Sequence, residues 1–103
     1  MKRRFVLTDL ARGHLRQILS GIADDDPQAA ERLRFRIYQD FQRLSEQPGI
    51  GHYHDELLDR RFRFWNFHSY VVAYRWEVSP IRIVAVIHGR RDLVAIFNRR
   101  REE

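Results

Sequence analysis

Apolar positions recur along the first half of the chain at helical spacing and along the second half by alternation, so the sequence divides into a helical part and a sheet part. Arg3 to Leu7 reads as a short strand. Thr8 then offers a side-chain oxygen to cap a helix, and Asp9 sits in that helix's positive first turn. Ala11, Leu15, Ile18, Leu19 and Ile22 fall on one helical face, away from Arg12, Arg16, Gln17 and Ser20. Asp26 followed by Pro27 starts a second helix, because a capping acceptor precedes a residue that has no amide to satisfy. Its stripe is Ala30, Leu33, Ile37, Phe41 and Leu44, flanked by Phe35 and Tyr38, and it stops near Pro48 and Gly49. So short a connection predicts an antiparallel helical hairpin.

Beyond Pro48 a loop runs to Arg60, and the period then becomes two. Arg61, Phe62, Arg63, Phe64 and Trp65 place two phenylalanines on one side of a strand and two arginines on the other, with the phenylalanines expected to face the core. Tyr70 to Trp76 and Ile81 to His88 read as neighbouring antiparallel strands joined through Ser79 and Pro80. Tyr70, Val72, Tyr74 and Trp76 are expected to share one face of the first, and Ile81, Ile83, Ala85 and Ile87 one face of the second. Leu93, Ile96 and Phe97 suggest a short C-terminal helix, ending in the cationic run Arg99, Arg100, Arg101. The fold class that follows is α+β: an N-terminal strand, a helical hairpin on a small antiparallel sheet, and a short C-terminal helix. At 103 residues the chain is expected to form a single domain spanning 1–103.

Charge sharpens the picture through its placement. Residues 1–59 carry 9 Lys or Arg against 10 Asp or Glu, whereas residues 60–103 carry 10 against 4, so the sheet half is the electropositive half. A cationic surface of this kind recruits nucleic acid or acidic protein. If the helices cover one side of the sheet, Arg61, Arg63, Arg75, Arg82 and His88 are expected to line an exposed concave surface on the other. The chain contains no cysteine, so neither a disulfide nor a thiolate metal site is available. The first residues are apolar over too short a stretch for a signal core or a membrane span, which gives the expectation of a cytoplasmic protein with no membrane partner. His52, His54, Asp55 and Glu56 cluster in the loop, but they lack a second ligand group at metal-site spacing, so neither a metal nor a cofactor is expected. Trp65, Phe67 and Tyr70 offer stacking or anchoring surfaces, with Tyr70 read as core.

Several pieces resemble the ParE/RelE superfamily of toxins from type II toxin-antitoxin systems. They are Phe5-Val6-Leu7-Thr8 with Ala11, Leu15 and Ile18, then Pro48 with Gly51, Arg61, Tyr70, and Tyr74-Arg75. The last piece, Ile87-His88-Gly89-Arg90-Arg91-Asp92-Leu93, resembles a strand-end signature of the ParE branch. The resemblance implies a toxin neutralised by a cognate antitoxin in a hetero-oligomer. For the ParE branch it implies inhibition of DNA gyrase with no chemistry of the toxin's own, and for the RelE branch ribosome-dependent cleavage of mRNA. RelE chemistry uses basic side chains and often a C-terminal tyrosine, and no tyrosine follows His88 here. The ParE reading is therefore preferred. The ribonuclease alternative would use His88, Arg63, Arg75 and Arg82, and the residues expected to bind antitoxin or target are Arg61, Arg63, Trp65, Arg75, Arg90 and Arg91.

Overall fold

A computed structural model describes residues 4–54, 57 and 59–89. The elements follow in the order β1 (Phe5–Leu7), α1 (Asp9–Asp25), α2 (Pro27–Glu46), a 3-10 turn (Pro48–Ile50), β2 (Phe62–Phe67), β3 (Tyr70–Arg75) and β4 (Ile81–His88). Both helix starts are capped as the sequence predicts. The Thr8 hydroxyl oxygen accepts from the Ala11 amide at 3.1 Å, and a single Asp26 carboxylate oxygen accepts from the Gln28 and Ala29 amides, each at 3.1 Å. The expected C-terminal helix, with Leu93, Ile96 and Phe97, lies outside the described residues, as do Arg90, Arg91 and the terminal arginine run.

The two helices pack on a four-stranded mixed sheet of order β1-β4-β3-β2. The three later strands are antiparallel, and β1 adds to β4 in parallel, Phe5 opposite Ile81 and Leu7 opposite Ile83. A parallel neighbour requires a crossover, and the helical hairpin supplies it. Chain order thus makes β2 and β1 the two edges, while β3 and β4 form the buried middle, read in sequence as nearly continuous apolar runs.

The core has two compartments, one on each side of the sheet. On the helical side Ala11 and Leu15 of α1 and Ile37, Phe41 and Leu44 of α2 meet Phe67, Val72, Tyr74, Ile81, Ile83 and Val86, with Phe5 and Leu7 packed against them. Phe5 contacts Phe41 and Tyr38 edge-on, with ring centroids 5.4 and 5.9 Å apart. On the other side Leu57, Phe64, Val71, Ala73, Val84, Ala85 and Ile87 form a second buried cluster, joined by Leu10 and Phe62.

This second compartment corrects two sequence expectations. Phe62 and Phe64 do face apolar surroundings, but on the side away from the helices, and Arg63, Trp65 and Phe67 take the helical side. The face of β4 is also not Ile81, Ile83, Ala85 and Ile87. Tyr74 is paired with Ile83 and Ala73 with Ala85, leaving Val84 as an extra residue in the ladder. A bulge of this kind shifts the alternation by one. Ile81 and Ile83 therefore face the helices together with Val86, whereas Ala85 and Ile87 join Val84 on the opposite side.

The bulge is held from α1. Thr8 Oγ1 donates to the Val84 carbonyl at 3.0 Å, the Thr8 amide donates to the Ile83 carbonyl at 3.0 Å, and the Val86 amide donates to Nδ1 of His14 at 3.1 Å. Where β1 ends, polar groups from the start of α1 thus continue to satisfy the edge of β4, as buried backbone groups require. At the far end of the sheet the β2–β3 turn places His68 at φ 53°, and Gly89 at φ 75° closes β4 with its amide donating to the Ser69 carbonyl at 3.0 Å.

Candidate functional site

The sheet has a cationic end. Arg4 precedes β1, Arg60 and Arg61 precede β2, Arg63 is its second residue, Arg75 is the last of β3, and Arg82 is the second of β4. The pairings of Phe62 with Arg75, Arg75 with Arg82, and Val6 with Arg82 bring these positions to one edge-to-edge row. Asp59 and Glu77 are the carboxylates carried by the described turns at this end. The charge asymmetry read from sequence is therefore realised in space, although around the end of the sheet and not across one face.

Among the described residues the side of the sheet away from the helices is not an exposed arginine-lined face. That side of the sheet is the second apolar compartment, with Ala73 and Ala85 fully buried. The alternation also separates the arginines: Arg63 shares the helical side with Tyr74, while Arg75 and Arg82 share the opposite side with Phe62.

The arginines at this end differ in how much of their charge is already used. The Arg63 guanidinium packs against two rings, 4.3 Å from the centroid of Tyr53 and 4.2 Å from that of Trp76. It donates through one terminal nitrogen to the Gly51 carbonyl at 2.7 Å and through the other toward the Tyr53 hydroxyl at 3.4 Å. Arg60 covers the Tyr53 ring at 4.4 Å, and the Trp76 indole N–H donates to the Arg60 carbonyl at 3.0 Å. The result is a cluster of Arg60, Tyr53, Arg63 and Trp76, with the Tyr53 and Trp76 rings edge-on at 6.3 Å, that fastens the 48–60 loop to the sheet end. Planar guanidinium is suited to this arrangement and a lysine is not. Arg61 is paired with Asp59, donating through Nε at 2.9 Å and through a terminal nitrogen at 2.6 Å, and the pairing raises its pKa.

Next to this cluster Tyr74 fixes the start of the same loop. Its hydroxyl donates to the Pro48 carbonyl at 2.6 Å and accepts from the Gly51 amide at 2.9 Å. Burial pushes its pKa up, against the opposing effects of the Gly51 amide and the Arg63 charge, so it stays a neutral phenol able to donate. Beside it, a groove of about 300 Å³ opens between the end of α2 and the β3–β4 turn, lined by Arg4, Ser45, Pro48, Trp76, Glu77 and Ser79 among others.

The remaining sequence candidates are dispersed. Trp65 is half-buried and tied to α2, its indole N–H donating to Asp40 at 3.0 Å with Arg43 over the ring at 5.4 Å. His88 ends β4 beside Tyr70, with ring centroids 5.2 Å apart. It stands six residues along β4 from Arg82, roughly 20 Å at about 3.3 Å per residue. The set His88, Arg63, Arg75 and Arg82 is thus divided between two ends and two faces of the sheet. His52 and His54 lie against Phe64, at 6.4 and 5.7 Å, and Asp55 and Glu56 are outside the described residues. Tyr53, Arg60 and Trp76 were not singled out from sequence. Their signal was the proximity of aromatic and arginine positions on either side of a turn, which spacing alone does not resolve into contacts.

Fold and site together define a small α+β protein whose cationic sheet end is built on a cluster of aromatic and guanidinium groups. A profile of the ParE toxin of the type II toxin-antitoxin system parDE matches residues 5–93, and the chain belongs to that family. A solved structure described as the chromosomal ParDE TA system from P. aeruginosa is similar in fold, with a TM-score of 0.69 at 15% identity over 86% of this chain and 98% of that one. No match was found among curated protein sequences.

Proposed function

We propose that this ParE toxin acts in the cytoplasm by binding and inhibiting DNA gyrase, and that a cognate antitoxin neutralises it by occupying the cationic end of the sheet. Membership of the ParE family supports the toxin and antitoxin pairing. The observation that carries the binding mode is the gathering of Arg4, Arg60, Arg61, Arg75 and Arg82 around one sheet end, a field that attracts acidic protein segments and raises association rates. Arg90 and Arg91, which follow Gly89 in sequence, and Trp65 are proposed as further contacts for antitoxin or target, and Arg63 supports the cationic end from within.

The ribonuclease alternative is less well supported, because general acid and base groups must reach one reacting centre. Here His88 and the arginines stand at opposite ends of the sheet. The purified chain should arrest gyrase-driven supercoiling of a relaxed plasmid while leaving mRNA intact in a translating extract. Cleavage of mRNA with supercoiling untouched would overturn the gyrase reading.

A further inference from the structure

Residues 32–38 of α2 read Arg-Leu-Arg-Phe-Arg-Ile-Tyr. Ile37 is buried and Leu33 packs against the same core, so Arg32, Arg34, Phe35, Arg36 and Tyr38 are the residues this stretch turns outward. Phe35 is 64% exposed, the most exposed large hydrophobic side chain among the described residues, and Tyr38 follows one turn later at 38%. Tyr38 is held from below, edge-on to Phe5 at 5.9 Å and tilted against Phe41 at 5.4 Å, while the Arg34 guanidinium lies 5.4 Å from its ring centroid. Arg32, Phe35, Arg36 and Gln39 follow at the spacing of one helical face, and all four are exposed. Little of this charge is used within the fold. Arg32 reaches Asp26 at 4.0 Å and Arg34 reaches Glu31 at 3.9 Å, long pairs between exposed groups, and Arg36 forms no ion pair among the described residues.

We propose that this face of α2 binds single-stranded nucleic acid, with unpaired bases stacked on Phe35 and Tyr38 and the strand's phosphates held by Arg32, Arg34 and Arg36. Every base offers a flat face to an aromatic ring, but only outside a duplex is that face free. Guanidinium pairs with phosphate and its plane also stacks, so cations interleaved with rings serve both halves of a nucleotide. An acidic protein fits less well. Protein interfaces centre on contiguous apolar surface with the charges at the rim, whereas here each ring is set among cations and glutamine, the polar and positive composition of a nucleic-acid interface. Tyr38, the member of this face nearest to the sheet-end groove in sequence, stands about 10 Å along α2 from Ser45, which lines that groove. The face is thus a second surface, apart from the sheet end, and it does not depend on the gyrase reading.

The test uses the full chain with short labelled oligothymidine and oligouridine strands, a labelled duplex of the same length and a labelled oligoglutamate peptide, read by fluorescence anisotropy. Both single strands are expected to bind more tightly than the duplex and the peptide. Phe35→Ala should weaken strand binding by roughly tenfold, the scale of one lost base stack. Arg36→Gln should lower the steepness of log K against log salt by about 0.7, the share of one phosphate contact on a single strand. Arg82→Gln, the same charge change at the sheet end, should leave that slope as it is. If a variant does not fold, wild-type spectra decide, since the Phe35 and Tyr38 ring resonances should shift as a strand is added. Unmoved rings, or a Phe35→Ala variant that binds like wild type, overturn the proposal. So does tighter binding of the duplex, which presents no free base face, or of the peptide, which assigns the face to an acidic protein, or a slope that follows Arg82 and not Arg36. Binding of either strand that depends on Phe35 and Arg36 supports it, and the tighter of the two strands tells DNA from RNA as the ligand.

Discussion

The hydroxyl of Tyr74 and the amide of Gly51 are 2.9 Å apart in the buried interior, and a side chain at position 51 would have no room between them. A Cβ there would lie 2.8 Å from Tyr74 Cε1 and 2.9 Å from the Phe64 carbonyl oxygen. Both neighbours belong to strands and neither can retreat. Gly51→Ala is expected to destabilise the fold by about 2–3 kcal/mol, as overpacking does. Gly21→Ala on α1, where nothing lies within 4 Å, should instead stabilise it by about 1 kcal/mol. Urea denaturation of the two variants reads the contrast.

Tyr74→Phe removes one oxygen that serves two backbone groups. The Pro48 carbonyl and the Gly51 amide both lose their partner, at a cost of about 1–3 kcal/mol for each group left unsatisfied. The expected outcome is a lower denaturation midpoint and faster amide exchange at Gly51. An unchanged exchange rate would show that the loop is held by other contacts.

Two arginines at the same sheet end should respond in opposite ways. Arg63→Lys removes the guanidinium that packs on both Tyr53 and Trp76 and is expected to cost about 1–2 kcal/mol of stability. Arg82→Gln, on an exposed residue, should change stability by no more than about 0.5 kcal/mol. Thermal melts separate a support residue from a contact residue before any partner is tested.

Stability should also depend on pH through His14. The Val86 amide donates to its Nδ1, so that nitrogen must be free of a proton, and burial lowers its pKa below 6.5. Between the two pKa values the unfolded chain binds the extra proton and the folded chain does not, so stability rises with pH there. This contribution is complete above about pH 6.5, falls as pH drops toward the folded pKa, and is level below it. A variant such as His14→Gln should show a shallower loss in urea midpoints than wild type as pH falls below about 6.5.

The helical half was the more legible part of the chain. Thr8 and the Asp26-Pro27 step mark both helix starts because capping is local chemistry, and the stripe Ala30, Ile37, Phe41, Leu44 is buried as its spacing requires. In the sheet, alternation marks each strand and the shared face of Tyr70, Val72, Tyr74 and Trp76, but not the side on which Phe62 and Phe64 lie nor the face of β4. The bulge at Val84 is invisible in a run of apolar residues, since Val84, Ala85 and Val86 give no polar position to mark the slip. The parallel pairing of β1 with β4 depends on contacts across more than seventy residues, beyond any local signal. The site suffered for the same reason: the second apolar compartment took the face assigned to arginines, and Arg63 proved to be stacked and hydrogen-bonded, not a free cation.

The most direct measurement is gyrase supercoiling activity titrated with the wild-type chain and with the combined variant Arg60→Gln, Arg75→Gln, Arg82→Gln, each first shown to melt cooperatively. Wild type is expected to arrest supercoiling, and the variant to need at least about tenfold more protein for the same effect, as the loss of several charged contacts implies. Equal potency of the folded variant would contradict the account, because the cationic end of the sheet would then have no part in the toxin's action.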